Sequence, residues 1–325
     1  MENERPGGLD GLGCLEGNRK RVNFDFFGIG EFWGCKSVKN DFGLQFRFYY
    51  YERASLIGGI ALKAGRSVVT IMTIKTERIQ DLPITRIDGM EINDTSNSSE
   101  PIEISNGTVL LDRQRRFSSE AEGNSVILIS LQYDEGVTVT IDVRHSRVMK
   151  RQYLNILYSP TAAYKGHTEG LCGFMDNNAT NDFTGPDGTL YDNAIKFAES
   201  WRITDCHNGS GIRDSWSWHS SNFYQDDTMD ITYTDQSYVP VYSLDGISQP
   251  VLQIATSMCK SLNISDSNLK SCIFDVAMTN DTTFTDQETF KQDCPDQCSG
   301  KGRCVNGTCK CIEGWTGKSC EKGIG

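Results

Sequence analysis

An oxygen-rich loop holds the clearest candidate ligands for a metal ion. Asp176, Asn178, Asn181 and Asp182 place four carboxylate or carboxamide side chains within seven residues. Hard oxygen donors of this kind suit Ca²⁺, and we therefore predict a calcium site here. The alternative is a polar turn whose Asp and Asn side chains bond the backbone without metal. An EF-hand is less suitable, because Asn181 replaces the loop glycine and no helices are predicted on either side.

Groups that support catalysis are few in this sequence. The histidines form neither an H-E-x-x-H motif nor a metal-spaced pair, and there is no G-x-S-x-G turn and no phosphate-binding glycine loop after a strand. A Ser-His-Asp triad can be assembled only by free choice among many serines. We therefore predict no enzymatic activity. The histidines are His145, His167, His207 and His219.

Twelve cysteines, six of them in the last 32 residues, are the second chemical feature. Disulfides persist in oxidising compartments and stabilise modules too small to bury a large core. Zinc binding is the alternative, since Cys309 and Cys311 can chelate, but the Cys-x2-Cys pairs usual in zinc ribbons are absent. The even number and the clustering predict an extracellular, disulfide-bonded protein.

Eight N-x-S/T sequons point to the same compartment. Such triplets also arise by chance in chains rich in Asn, Ser and Thr, so we expect only part of them to carry a glycan. The sequons begin at Asn93, Asn97, Asn106, Asn178, Asn208, Asn263, Asn280 and Asn306.

Composition and charge argue against several classes of partner. The 325 residues carry a formal net charge of −11, which does not suit nucleic acid or an anionic membrane surface. No run of 18 apolar residues occurs, so direct membrane insertion within this chain is not predicted. The N-terminus has no apolar signal-peptide core, and we expect the sequence to be a fragment or a gene model that lacks its 5′ end.

The residues from Phe24 to about 160 show the pattern of short strands. Val137, Val139, Ile141 and Val143 alternate with polar residues, which places these four on one face of a strand. Many such runs separated by glycine-containing turns predict a mostly β fold, an antiparallel sandwich or barrel. One helix is predicted at residues 251–262, between the β-region and the cysteine-rich C-terminus.

The C-terminal cysteines have the spacing of a known module. They read Cys294-x3-Cys298-x5-Cys304-x4-Cys309-x-Cys311-x8-Cys320, with Gly314-Trp315-Thr316-Gly317 in the last interval. Spacing and turn both resemble the EGF-like domain. The resemblance implies the bridges Cys294–Cys304, Cys298–Cys309 and Cys311–Cys320. Calcium-binding members of that family carry an acidic consensus that residues 290–293 do not match, so we predict no calcium in this module.

The middle of the chain resembles a second family, the von Willebrand factor type D (VWD) domain. Its closing signature matches Glu169-Gly-Leu-Cys-Gly173, the acidic loop from Asp176, and Phe197-Ala-Glu-Ser-Trp-Arg-Ile203. Gly28-Ile-Gly-Glu-Phe-Trp33 resembles an early strand, and residues 271–277 resemble a cysteine segment that trails the domain in some relatives. This order of parts resembles the von Willebrand factor D and EGF domain-containing proteins.

The VWD resemblance also implies disulfides and a further metal ligand. The implied bridges are Cys14–Cys172 and Cys35–Cys206, and they leave Cys259–Cys272 as a local pair. An aspartate near the first strand joins the calcium site in the family. Asp25 is the candidate here, since it follows Cys14 by 11 residues.

These observations predict an organisation and a role. The parts are a disordered N-terminal segment (1–13), an antiparallel β-sandwich VWD-type domain (14–206), a linker (207–248), a short helical disulfide segment (249–290) and a small disulfide-rich EGF-like module (291–325). We predict a secreted or cell-surface glycoprotein that acts in adhesion, matrix organisation or receptor binding, with an extracellular protein or cell-surface receptor as partner. The alternatives are the ectodomain of a membrane mucin-like protein and, since ostracod luciferases contain D-type domains, a luciferase-like secreted oxidase.

Overall fold

The computed structural model describes most of the chain in ranges separated by gaps. These are residues 12–16, 20–23, 28–39, 41–78, 81–92, 102–104, 109–117, 125–133, 137–160, 164, 166–174, 176, 178, 180–204, 217, 219–224, 244–262, 266–289, 302–305, 308–311 and 314–324.

Strands dominate the first half of the chain and helices follow them. The strands are β1 (Leu12–Glu16), β2 (Lys20–Asn23), β3 (Gly30–Ser37), β4 (Phe42–Tyr51), β5 (Ala54–Ala64), β6 (Ser67–Met72), β7 (Ile84–Ile87), β8 (Met90–Glu91), β9 (Ile102–Ile104), β10 (Val109–Phe117), β11 (Ser125–Tyr133), β12 (Val137–Ser146), β13 (Arg151–Pro160), β14 (Thr168–Glu169), β15 (Gly302–Val305), β16 (Thr308–Cys311), β17 (Trp315–Thr316) and β18 (Lys322–Gly323). The helices are α1 (Ala194–Ser200), α2 (Gln249–Ser261), α3 (Asp266–Thr279) and a 3₁₀ segment, Thr282–Thr289.

The first fourteen strands form one hydrogen-bonded sheet that divides into two layers. One layer runs β14-β3-β4-β5-β6-β7-β8, and the other runs β2-β1-β13-β12-β11-β10-β9. The layers share hydrogen bonding where Ile57 of β5 faces Leu154 of β13. Neighbouring strands are antiparallel except β1 and β13, which run parallel. The predicted mostly β, antiparallel fold is confirmed.

The main apolar core lies between the two layers. Val137, Val139, Ile141 and Val143 of β12 are all buried, as their alternation predicts. They pack with apolar residues of the opposite layer, including Phe46 of β4. The sandwich is therefore held by burial of the inner face of each layer, which is the main favourable term in folding.

A second apolar core lies on the outer face of β4–β6, where the helices pack. Tyr49 and Leu56 from this face join Ala255 of α2 and Phe274 of α3 in one cluster. The 3₁₀ segment contributes Phe284, whose ring stacks on Tyr153 of β13 at a centroid distance of 5.0 Å. The helical segment is thus a third layer of the fold. Its buried face covers a sheet face that would otherwise be in contact with solvent.

The C-terminal part of the chain forms two short hairpins. β15 pairs with β16, and β17 pairs with β18. Gly317, directly after strand β17, has φ 111°, a left-handed conformation that glycine adopts without strain. A disulfide within this part joins Cys311 to Cys320, as an EGF-like module requires.

Candidate functional site

The glycine-rich signature around Cys172 is fixed to the edge strand β3. β14 pairs with β3 through Thr168 opposite Ser37. The amide of Leu171 then donates to the carbonyl of Trp33, at 3.0 Å. Gly170 has φ 121°, and a Cβ on it would lie 2.8 Å from the Gly34 carbonyl oxygen, so no other residue fits there. This attachment sets the start of the acidic loop.

The acidic loop is organised by hydrogen bonds among its own side chains. The Asp176 carboxylate accepts from the Asn178 backbone amide through Oδ1 and from Asn181 Nδ2 through Oδ2, both at 2.8 Å. Asn178 Oδ1 accepts from the backbone amide and the hydroxyl of Thr180, at 3.2 and 2.7 Å. The structure therefore brings three of the predicted ligands together, in a turn of the Asx type.

Asp182, the fourth predicted ligand in the loop, turns inward. It is 9% exposed, and a Cβ on Gly173 would approach its Oδ1 to 2.9 Å. Gly173 has φ 70°, so both its backbone angle and this close approach require glycine. A nearly buried carboxylate beside a polar loop provides a strong oxygen donor for a cation.

The side chains of this loop are oxygen donors of the kind that a calcium ion takes. The Asn181 Oδ1 oxygen is buried and has no hydrogen-bond partner among the described residues, and an unpaired buried acceptor is costly unless something binds it. Within the described part of the chain, no three His, Cys, Asp or Glu side chains are grouped to hold a metal, so carboxamide oxygens would have to take part. Asp25, the fifth predicted ligand, lies outside the described residues.

Helix α1 and the segment after it close the far side of the loop. Asn193 caps α1, because its Oδ1 accepts from the amides of Ile195 and Lys196. Phe197 of α1 stacks on Phe183 at 5.0 Å, directly after Asp182. The Trp201 carbonyl then accepts from the amide of Trp33, which returns the chain to β3. The predicted closing signature is therefore one compact unit around the end of β3.

Two predicted disulfides are present in the described residues. Cys259 of α2 and Cys272 of α3 are bridged, with their Cα atoms 5.9 Å apart, and Cys311 is bridged to Cys320. Cys172 and Cys309 are also disulfide-bonded. Their predicted partners Cys14 and Cys298, together with Cys294, Cys304 and Cys206, are outside the described side chains.

The predicted Cys35–Cys206 bridge is wrong, because Cys35 is a free, fully buried thiol. Arg202 lies opposite Phe32 in an antiparallel bridge, and Ile203 donates to the carbonyl of Glu31. From Arg202 to Ile203 the chain therefore runs away from Cys35 along β3. Cys206 itself lies outside the described residues. Burial raises the pKa of the Cys35 thiol to about 12.

A buried ion pair that was not predicted from the sequence lies on the outer face of β3 and β4. Arg47 Nε donates to Glu31 Oε1 at 2.9 Å, and the two side chains are 4% and 0% exposed. The Arg47 guanidinium lies 4.2 Å from the ring centre of Phe223. Gln45 beside them donates to the carbonyl of Ser220. The pair could have been found from the charged residues inside otherwise apolar strands, since such residues are seldom buried unless they are paired.

A second contact missed from the sequence joins the helical layer to the sandwich. The Ser146 hydroxyl, at the end of β12, donates to the carboxylate of Asp281, which follows α3. Asp281 is fully buried and also accepts from the amide and hydroxyl of Thr283. We call this contact the Ser146–Asp281 contact. It fixes the C-terminal end of α3 to the β12–β13 turn.

Two of the predicted glycosylation sites lie among the described residues. Asn178 and Asn280 are both exposed. The remaining six fall outside the described part of the chain: Asn93, Asn97, Asn106, Asn208, Asn263 and Asn306.

Comparison with known families identifies two domain types in this chain. Residues 87–189 match the family model of the von Willebrand factor type D domain. Residues 294–323 match that of the Teneurin-like EGF domain. The chain therefore contains a VWD domain followed by an EGF-like domain, as the sequence predicts. Such domains are typical of extracellular, adhesion-type proteins and are typically non-enzymatic.

One characterised relative is the human IgGFc-binding protein. It is 29% identical over 102 residues, a stretch that covers 30% of this chain and 2% of that protein. Its name describes binding to the Fc part of IgG, and the match spans only a small part of either protein. No helix in the described ranges combines the length and apolar character needed to cross a membrane.

Proposed function

We propose that this protein is a secreted or cell-surface binding protein whose sandwich and helical layer present the EGF-like module to an extracellular protein or receptor. The main support is that the chain leading to the module begins at the end of α3, which is fixed to the sandwich. The Ser146–Asp281 contact fixes the end of α3, and Phe284, 1% exposed, packs behind it. Adhesion or matrix organisation requires a module held on a stable support, and this arrangement provides one.

The proposed role is binding without catalysis. The EGF-like hairpins carry a disulfide between Cys311 and Cys320, which is suited to an oxidising compartment. A small module of this kind buries little apolar area and depends on such bridges to keep its surface ordered. Loss of the bridge should therefore remove partner binding more than it affects the sandwich.

Binding of the purified chain to cell surfaces tests the proposal. The tagged chain is expressed in cultured animal cells behind an added secretion signal and purified from the medium, and its binding to a panel of cell types is measured by flow cytometry. A Cys311→Ser/Cys320→Ser variant should lose binding, whereas a Cys259→Ser/Cys272→Ser variant, altered in the helical layer, serves as the matched control. Absence of saturable binding by the wild-type chain across the panel and to matrix preparations would refute the role.

We also propose that the VWD domain binds one Ca²⁺ at the acidic loop, which would add to its stability. Asp176, Asn178, Asn181 and Asp182 would hold the ion, with Asp25 as a further ligand. The support is the unpaired, buried Asn181 Oδ1 beside the nearly buried Asp182. When bound, the ion would supply positive charge that compensates the carboxylates of the loop.

Calcium binding is tested by unfolding the protein with and without the ion. At a free concentration 100 times the dissociation constant, one site should add about 2.7 kcal/mol to the free energy of unfolding. Asp182→Asn should abolish the difference. Asp187→Asn, a change in the exposed turn that follows, is the control and should keep it. Equal stability of the wild type in calcium and in chelator would disprove the site.

A further inference from the structure

The sequon Asn280-Asp281-Thr282 lies where α3 ends and the 3₁₀ segment begins. Asn280 has φ 50°, a left-handed conformation that Asn tolerates better than most residues and that often ends a helix. Asn280 and Thr282 are both exposed, whereas Asp281 between them is fully buried. The buried residue fixes the orientation of the two exposed ones.

The Ser146–Asp281 contact places this sequon beside the β12–β13 turn. Ser146 begins that turn, and its hydroxyl also accepts from the amide of Met149. Val148 in the same turn is 63% exposed. Lys150, exposed as well, ends the turn. The contact therefore brings a turn with an exposed apolar residue and an exposed lysine close to Asn280, which directly precedes Asp281 in the chain.

We propose that Asn280 carries an N-linked oligosaccharide that covers the β12–β13 turn around Val148 and closes this corner of the molecule to protein partners. The inference rests on the extracellular location proposed above. In the reaction, Asn280 Nδ2 bonds to the anomeric carbon of an oligosaccharide carried on a polyprenyl pyrophosphate. The carbon–oxygen bond to the pyrophosphate breaks, the lipid pyrophosphate leaves, and an amide proton passes to the transferase.

The fixed position distinguishes this glycan from one on a loose loop. Thr279, one residue before the sequon, is 1% exposed and donates its hydroxyl to the Asp275 carbonyl. Thr283, one residue after it, bonds to Asp281. The attachment point is therefore held from both sides, and the first sugars project from one defined corner, beside the turn that contains Val148.

A pair of conservative variants tests the proposal without altering Asn280 or Asp281. Thr282→Val removes the hydroxyl that the transferase requires, and Thr282→Ser retains it. After secretion from animal cells, peptide mapping should show the glycan on Asn280 in the wild type and Thr282→Ser, and its loss in Thr282→Val. Trypsin should then cleave after Lys150 faster in Thr282→Val, and in wild type treated with a peptide-N-glycosidase, than in Thr282→Ser.

The outcomes separate this inference from the proposed function. An unmodified Asn280 on a chain whose other sequons are occupied overturns the inference alone. A secreted chain with no occupied sequon refutes the proposed extracellular glycoprotein and the inference with it. A glycan on Asn280 with equal cleavage after Lys150 in both variants overturns the claim that it covers the turn.

Discussion

At the scale of single residues, burial decides the behaviour of the charged and reactive groups. Cys35 lies within the main core, where its thiol is buried near Tyr158. Burial disfavours the thiolate, and the thiolate is the reactive form of cysteine. The same principle requires Glu31 and Arg47 to pair, because each would otherwise be an isolated charge in an apolar setting.

The free state of Cys35 gives a direct chemical prediction. With a pKa raised to about 12, the thiol should not react with iodoacetamide at neutral pH in the native protein. In denaturant without reductant, the peptide that contains Cys35 should become labelled, as measured by mass spectrometry. Labelling that requires prior reduction would mean that Cys35 is bridged after all.

Removing one member of the buried ion pair should destabilise the sandwich strongly. Arg47→Leu leaves Glu31 charged, buried and without its main partner, which typically costs about 3–5 kcal/mol. Adding Glu31→Leu should restore much of that loss. Urea unfolding followed by fluorescence measures both. Glu77→Gln, which breaks the exposed Lys150–Glu77 pair, should change stability little, and a double variant no more stable than Arg47→Leu would contradict the argument.

At the scale of elements, the helical segment is more than a connection between two domains. α2 buries Ala255 and Cys259, and α3 buries a longer apolar face that includes Phe274 and Val276. Neither helix is long enough to be stable alone in water, so tertiary packing must hold both. Their disulfide joins the two helices at the point where they face the sheet.

The Cys259–Cys272 bridge should contribute measurably to stability. It closes a loop with a sequence separation of 13 residues, for which restriction of the unfolded chain is worth about 3 kcal/mol. Cys259→Ser/Cys272→Ser should lower the urea midpoint accordingly. Cys311→Ser/Cys320→Ser should leave the midpoint of the sandwich nearly unchanged. A similar loss in both variants would show that the effect is not local to the helices.

At the scale of the whole molecule, the two sheet layers and the helices share strands β4–β6. β5 places Ile57 and Ile60 in the inner core and Leu56 and Ala61 in the outer one. A strand that serves two cores couples them, because loss of either exposes apolar surface on the same element. Phe223, which belongs to the predicted linker, also packs in the outer core and so adds to this coupling.

This shared construction predicts one cooperative unfolding transition for the sandwich and helices. Fluorescence of the buried Trp33 and Trp201 reports on the inner core, and far-ultraviolet circular dichroism reports on the helices. In urea the two signals should give the same midpoint and slope. A helical signal lost at lower urea would show that the helical layer is a separate unit.

The sequence by itself determined the local and repetitive features of this protein. The alternation in β12, the cysteine spacing of the EGF-like module and the glycine signature before Cys172 were readable, because each depends on periodicity or on short-range backbone limits. The acidic loop was also predicted, and its internal hydrogen bonds join residues close in sequence.

Only the tertiary structure decided the contacts between distant residues. The antiparallel return of residues 201–203 runs away from Cys35, whose thiol is free. The outer face of β5 is covered by helices that begin only at Gln249. Arg47 meets Phe223, and Ser146 meets Asp281, across separations that no local pattern encodes. The physical reason is that such pairings depend on which surfaces remain to be buried once the sandwich has formed. That depends on the whole fold and not on any one segment.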